Sequence, residues 1–250
     1  MNAKEVMKNF GKKITPAYIT KIAMFTAISF ILYMFVKFSL PFMFPSFLEI
    51  QFSELPAILG GYCLGPVAGV LIIVFKTLLK FPFTSTAFVG EITDMVLGIA
   101  YVLPASIIYC LKKSRKNALI GLGVGVVAAS GVAILLNRFV SVPFYVEYFF
   151  GGNFEIIVNI CRPLYKNVTK GSFYRYYLMA AVLPFNLLRL LLVSTITFLV
   201  YKPLAKAMRW EIKLPKKKQE QREEMPQKIT EEKEDPLSDA PAENENPSND

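Results

Sequence analysis

Residues 55–75 read LPAILGGYCLGPVAGVLIIVF, a run of 21 residues without a charge. About 20 mostly apolar residues are enough to cross the hydrocarbon of a bilayer as a helix. Taken whole, the run is one transmembrane helix. Its middle, however, is Gly65-Pro66. Proline removes a backbone donor and clashes with the preceding turn, and glycine adopts turn conformations that other residues avoid. Read that way, the run is two helices, a short one over 55–64 and a second from about 67 to 80. The choice sets the number of crossings, and with it the side of the membrane on which every later loop lies.

The flanking sequence makes the choice. Further apolar runs cover 19–40, 90–111, 118–137 and 176–201. Lys21 and Lys37 interrupt the first, Arg189 the last, and the 90–111 run begins with Glu91 and Asp94. The basic amino terminus leads into a long apolar run with no small-residue cleavage site, so it reads as a retained first helix rather than a signal peptide. Cytoplasmic loops carry the excess of Lys and Arg. With the amino terminus inside, five crossings strand Lys112, Lys113, Arg115 and Lys116 outside. Six crossings put them inside, together with Lys202, Lys206 and Arg209. The expectation is therefore an all-α integral membrane protein with six transmembrane helices and both termini cytoplasmic. The short second helix, about 15 Å long, must then be covered by protein rather than lipid. Three segments face outside: 41–54, 81–89 and the long Tyr- and Phe-rich stretch 141–175, which supply material for a lid or a pocket. The expected organisation is a cytoplasmic segment over 1–17, a six-helix membrane domain over 18–208 and a disordered, charged cytoplasmic tail over 209–250.

Composition agrees and excludes several chemistries. Of the residues, 54% are hydrophobic and 19% charged, with a mean hydropathy of +0.42, against about 45–50% and about 25% in soluble domains. Twelve of the 19 carboxylates follow Trp210. The chain has no histidine, which removes histidine acid–base catalysis, catalytic triads and histidine-ligated metals. Cys63, Cys110 and Cys161 fit no zinc or redox spacing. No phosphate-binding loop exists, and Gly11-Lys12-Lys13 is not one, so ATP hydrolysis by this chain is excluded. No aspartate cluster points to a metal-dependent transferase. Asn167-Val168-Thr169 is a glycosylation sequon by pattern alone. Lys216, Lys217 and Lys218 suit anionic headgroups, or are a plain positive-inside signal.

A charge inside a membrane helix is a functional candidate by default. Arg189 lies mid-run in the last helix, with Asn186 one turn earlier on the same face. Asn137 ends the 118–137 run and Arg138 follows it, near the outer end of the fifth helix. Two readings stand for Arg189: a ligand contact, or a lock that pairs with Glu91 or Asp94. Small residues at i, i+4 recur as Gly61/Gly65, Gly65/Gly69, Gly121/Gly125 and Ala23/Ala27, a spacing that lets helices approach closely in lipid. For the glycines, packing within the chain suffices; for Ala23 and Ala27, a seam with another chain is the alternative.

Several segments carry a family likeness. PSFLEIQFSELP over 45–56, AILGGYCLGP over 57–66 and VAG over 67–69, with Gly90-Glu91, Leu136-Asn137 and PFNLLR over 184–189, resemble the riboflavin-specific substrate-binding subunits of energy-coupling factor transporters. The similarity runs from about 18 to 208. It implies a non-catalytic six-helix subunit of a bacterial cell membrane that binds riboflavin from outside. Such a subunit delivers its ligand by docking on a membrane coupling subunit and two ATPases. Riboflavin, those subunits and membrane lipid are the implied partners, with no nucleic acid and no cofactor beyond the transported ligand. The resemblance assigns Asn137, Asn186 and Arg189 to the flavin ring, with arginine where the family uses lysine, a change of reach and donor geometry. Gln51 stands where an acidic residue is common, and Asp94 where asparagine is. Ala23 and Ala27 match the family's contact with the coupling subunit. The chemistry agrees: the pyrimidine edge of the ring offers acceptor, donor, acceptor, which an asparagine amide and a cation can meet. Glu49 and Gln51 suit the ribityl chain, and Phe47 and Leu48 the ring faces. The rivals are a subunit for another vitamin, a membrane lipid enzyme and a self-contained secondary transporter.

Overall fold

The computed structural model describes residues 15–45, 47–165 and 168–210. The basic amino terminus, the sequon asparagine and the acidic tail with its lysine run lie outside the described residues. The chain divides into two units, 1–205 and 206–250, and the bundle belongs to the first.

Helix α1 spans Pro16–Phe35. Thr15 caps it, its hydroxyl accepting from the Tyr18 N–H, and Pro16 takes the first turn, where its missing donor is no loss. The helix buries a stripe of Ile22, Phe25, Thr26, Ser29 and Tyr33 and exposes Met24, Ile28 and Ile31. A helix that is apolar on both faces is one whose outer face meets lipid. It ends before the position expected from hydropathy. Lys37–Ser39 is a strand, β1, paired antiparallel with β2, Glu49–Gln51, with Lys37 opposite Gln51. Pro41 biases Leu40 away from the helical region, and Lys37 Nζ meets the Glu49 carboxylate across the pair at 2.8 Å.

The break at Gly65-Pro66 is present. Helix α2 runs Glu54–Leu64, Gly65 takes φ 115°, and α3 runs Pro66–Lys80. That φ is open to glycine and strained for residues with a Cβ, and proline at the following first helical position is pre-set for the new helix. At 11 residues, α2 is about 16 Å long.

Helix α4 is Val89–Leu111 and α5 is Arg115–Leu136. A π-helical segment, Asn137–Ser141, carries α5 on into α6, Val142–Phe150. The stretch 141–175, expected as an outside loop, is thus largely helical. Arg115–Phe150 is a helical run of 36 residues, about 54 Å against about 30 Å of hydrocarbon. Aromatic residues one turn apart support its far end, Phe144 stacked on Tyr148 at 5.2 Å and Tyr145 against Phe149 at 5.4 Å. Helix α7 is Phe154–Cys161, and α8, Phe173–Tyr176, passes through a second π segment, Tyr177–Val182, into α9, Leu183–Trp210. The last membrane helix therefore begins three residues before its hydropathic run. Five helical stretches among the described residues are long and apolar enough to cross a membrane: 16–35, 66–83, 89–111, 115–150 and 173–204.

Glycines set the closest helix contacts. A Cβ on Gly121 would lie 2.7 Å from the Ala105 carbonyl oxygen, and one on Gly125 2.6 Å from that of Tyr101, so α4 and α5 touch backbone to backbone. Gly69 faces Gly61 and Val102 in the same manner. These are contacts within the chain, which is sufficient reason for the spacing.

Candidate functional site

The buried centre of the bundle is ionic. Arg189 on α9 is 5% exposed, and its Nη2 donates to Glu54 Oε1 and, at 3.2 Å, to Asp94 Oδ1. Lys76 on α3, fully enclosed, donates to Ser53 Oγ at 2.6 Å and to Asp94 Oδ2 at 3.2 Å, and lies 3.9 Å from Glu54 Oε1. Its ammonium sits 4.8 Å from the centre of the Tyr33 ring on α1. Gln51, from β2, donates to Asp94 Oδ1 at 2.6 Å. Ser29 on α1 donates to the Ser53 carbonyl. Two cations thus share two carboxylates, and five helices plus the hairpin converge on them. In a low dielectric such charges persist only when paired and hydrogen-bonded. The cluster still has unused capacity, since Arg189 Nε and Glu54 Oε2 are buried without a hydrogen-bond partner among the described residues.

Of the two readings of Arg189, the pairing with Asp94 is present, while Glu91 is occupied elsewhere. Its carboxylate accepts from Thr84 and Thr86 at 2.8 and 2.5 Å. Those threonines cap the start of α4, where Ala87 and Phe88 hold left-handed φ of 49° and 69°. Gln51 and Asp94 are in contact with each other.

Asn186 is buried one turn before Arg189, and its amide donates to the Val182 carbonyl at 2.8 Å. Asn137 donates to the Ala133 carbonyl at 2.9 Å and accepts from the Tyr177 hydroxyl at 3.0 Å. Each asparagine adjoins a π segment, Asn137 at the start of one and Asn186 just after the other. Such segments free backbone carbonyls from the helical ladder and recur at functional sites. Arg138, next to Asn137, lies 3.7 Å over the Tyr174 ring.

The first loop reaches the same region by packing. Phe44 meets Phe185, the neighbour of Asn186, edge-on at 5.4 Å, and Leu48 packs among Phe44, Ile50 and Phe185. Phe47 is 46% exposed, with its ring 6.1 Å from that of Tyr177. Glu49 stays at the hairpin with Lys37, outside the ionic cluster. Ala23 and Ala27 lie on the exposed face of α1, away from all of this.

Glu54 and Lys76 are absent from the sequence-based candidates. The signal for Lys76 was present: it continues the spacing of Gly69, Ile72 and Ile73, the buried face of α3. Glu54 was read as the end of a polar loop, whereas it opens α2 and is fully buried.

A bundle of apolar helices folded around one buried polar centre defines a membrane-embedded protein. Residues 17–201 match the family described as ECF transporter, substrate-specific component, and the chain belongs to that family. Its members are substrate-binding parts of a transporter rather than enzymes. The chain is 30% identical over 188 residues to the riboflavin transporter RibU of Staphylococcus aureus, covering 75% of this chain and 90% of that protein. It is 24% identical over 183 residues to the riboflavin transporter FmnP of Bacillus subtilis, covering 72% and 87%. A solved structure described as the S component of a bacterial ECF transporter is similar with a TM-score of 0.58 and 29% identity, covering 77% of this chain and 97% of that one.

Proposed function

We propose that this chain is the subunit that captures riboflavin for an energy-coupled uptake system of a bacterial cell membrane. The observation that carries the reading is the buried Asn186–Arg189 pair, one turn apart where the membrane helices and the first hairpin converge. Arg189 keeps an unpartnered Nε, a donor suited to a ring carbonyl. Among the described residues Asn186 uses its amide only on its own helix, which leaves its oxygen for the ring N–H. Asn137, at the start of the first π segment and bonded to Tyr177 of the second, completes the polar edge. Phe47 and Leu48 cover the ring, and Glu49 and Gln51 take the ribityl chain. The similarity to riboflavin transporters of two bacteria supports the choice of vitamin.

The topology that suits this role has six crossings. The short α2 is the second, both termini are cytoplasmic, and the hairpin end faces outside. The connection carrying Lys112, Lys113, Arg115 and Lys116 then lies inside, as the distribution of basic residues favours. The membrane domain covers 18–208, preceded by a cytoplasmic segment over 1–17 and followed by a charged tail over 209–250. Ala23 and Ala27, on the exposed face of α1, form the seam for a membrane coupling subunit, which in turn carries two ATPases. The test is the absorption spectrum of the purified protein, followed by titration with riboflavin, thiamine, biotin and folate. A flavin spectrum and saturable riboflavin binding are expected; binding of another of these vitamins in its place overturns the assignment.

A further inference from the structure

We propose that Lys76 is a positioning residue for the ligand site, which keeps the Arg189 guanidinium available by sharing the Glu54 and Asp94 carboxylates with it. This rests on the riboflavin reading above and extends it to a residue that touches no ligand. Lys76 is fully enclosed, its ammonium held by Ser53 Oγ, Asp94 Oδ2 and the Tyr33 ring, with Glu54 Oε1 at 3.9 Å. Arg189 grips the same two carboxylates through Nη2.

Two positive and two negative charges make the cluster neutral. Coulomb attraction is strong in a dry interior, so the sharing decides how tightly Arg189 is held. With Lys76 present, each carboxylate is also served by a second cation, and Asp94 divides its oxygens, Oδ2 to Lys76 and Oδ1 to Arg189 and Gln51. The guanidinium is then balanced and can direct its free Nε to a ligand carbonyl. Without Lys76, two carboxylates bear on Arg189 alone. A neutral carbonyl competes poorly with a net negative charge for a guanidinium, so the cluster would close on itself.

The charged and titratable groups facing this centre are Tyr33 from α1, Glu54 from α2, Lys76 from α3, Asp94 from α4 and Arg189 from α9. Replacing Lys76 with methionine keeps an unbranched side chain one atom shorter and removes the charge together with the hydrogen bonds to Ser53 and Asp94. Adding Glu54→Gln restores neutrality, leaving one cation on one carboxylate.

The experiment is flavin-fluorescence titration of the full-length protein in lipid nanodiscs, with riboflavin and with lumiflavin, which has the ring but no ribityl chain. Apo melting temperatures are measured in parallel. Lys76→Met should weaken both ligands by about tenfold or more, equally, because the effect acts on the ring contact. The doubly substituted Lys76→Met/Glu54→Gln protein should return to within about threefold of wild type, less than half of that loss on a logarithmic scale. A purely structural lysine gives no such rescue. Wild-type affinity in Lys76→Met overturns the inference, as does a folded double variant as weak as the single one. If Lys76→Met does not fold, the neutral double variant decides, and failure of both to fold shows a structural lock and overturns the inference. If the wild-type protein binds no riboflavin, the function proposed above fails instead, which the same titration separates.

Discussion

The ionic centre around Arg189 and the glycine seam between α4 and α5 both hold membrane helices together, by opposite means. At the seam, Gly121 and Gly125 meet the backbone oxygens of Ala105 and Tyr101 with no room for a methyl group. Every contact there is spent on packing. At the centre, charges from four helices pair, yet a guanidinium nitrogen and a carboxylate oxygen remain without partners among the described residues. Inside a membrane, an unsaturated buried polar group costs stability unless something else satisfies it. The seam is thus held by shape and the centre by paired charge, and under the function proposed above the spare donor at the centre is the group that meets the ligand.

That contrast can be broken by substitution. Arg189→Ala should have the largest effect, because it removes both the proposed ligand donor and the partner of two buried carboxylates. An uncompensated buried charge costs about 3–5 kcal/mol. The apo melting temperature should fall sharply and riboflavin affinity should drop by more than about tenfold. Arg189→Lys, which keeps the charge, should be milder in both. Unchanged apo stability in Arg189→Ala would mean that the ion pairs contribute nothing to the fold.

Gly125→Ala comes next and should separate the two regions. Its Cβ would sit 2.6 Å from a backbone oxygen, and overpacking of this kind costs about 1–3 kcal/mol. Melting should be lowered while riboflavin affinity of the folded fraction stays at the wild-type level. A parallel loss of affinity would show that the seam also shapes the site.

Asn186→Ala is the sharper probe of the ligand centre. Among the described residues, its side chain hydrogen-bonds only to a carbonyl of its own helix, so apo stability should move little. Riboflavin binding should weaken by about tenfold, as an unsatisfied ring atom costs about 1–3 kcal/mol. Wild-type affinity here, together with wild-type affinity in Arg189→Lys, would remove the flavin from this end of the bundle.

The smallest effect is expected at Ala23→Trp. Position 23 faces out of the bundle, so neither melting nor riboflavin binding should change. Co-purification with the coupling subunit should fall, because a bulky group prevents close helix approach. Loss of binding together with assembly would make α1 an internal packing helix.

The amino-acid sequence by itself determined the apolar runs, the break at Gly65-Pro66 and the intramembrane position of Asn186 and Arg189. These are local properties: hydropathy over one helix, the φ freedom of one glycine, the spacing of residues one turn apart. It did not determine where α1 stops, because strand pairing of Lys37–Ser39 with Glu49–Gln51 is a contact across a loop. It also did not reveal the helical character of 141–175, whose aromatic composition reads as loop until the stacking of Phe144 on Tyr148 is seen. The partners of Arg189 were decided by tertiary structure alone. Glu54, Lys76, Asp94 and Arg189 come from four separate helices, and Arg189 lies 135 residues from Glu54. Which charges meet depends on how each helix is rotated about its axis, and that rotation is set by the packing of all the others.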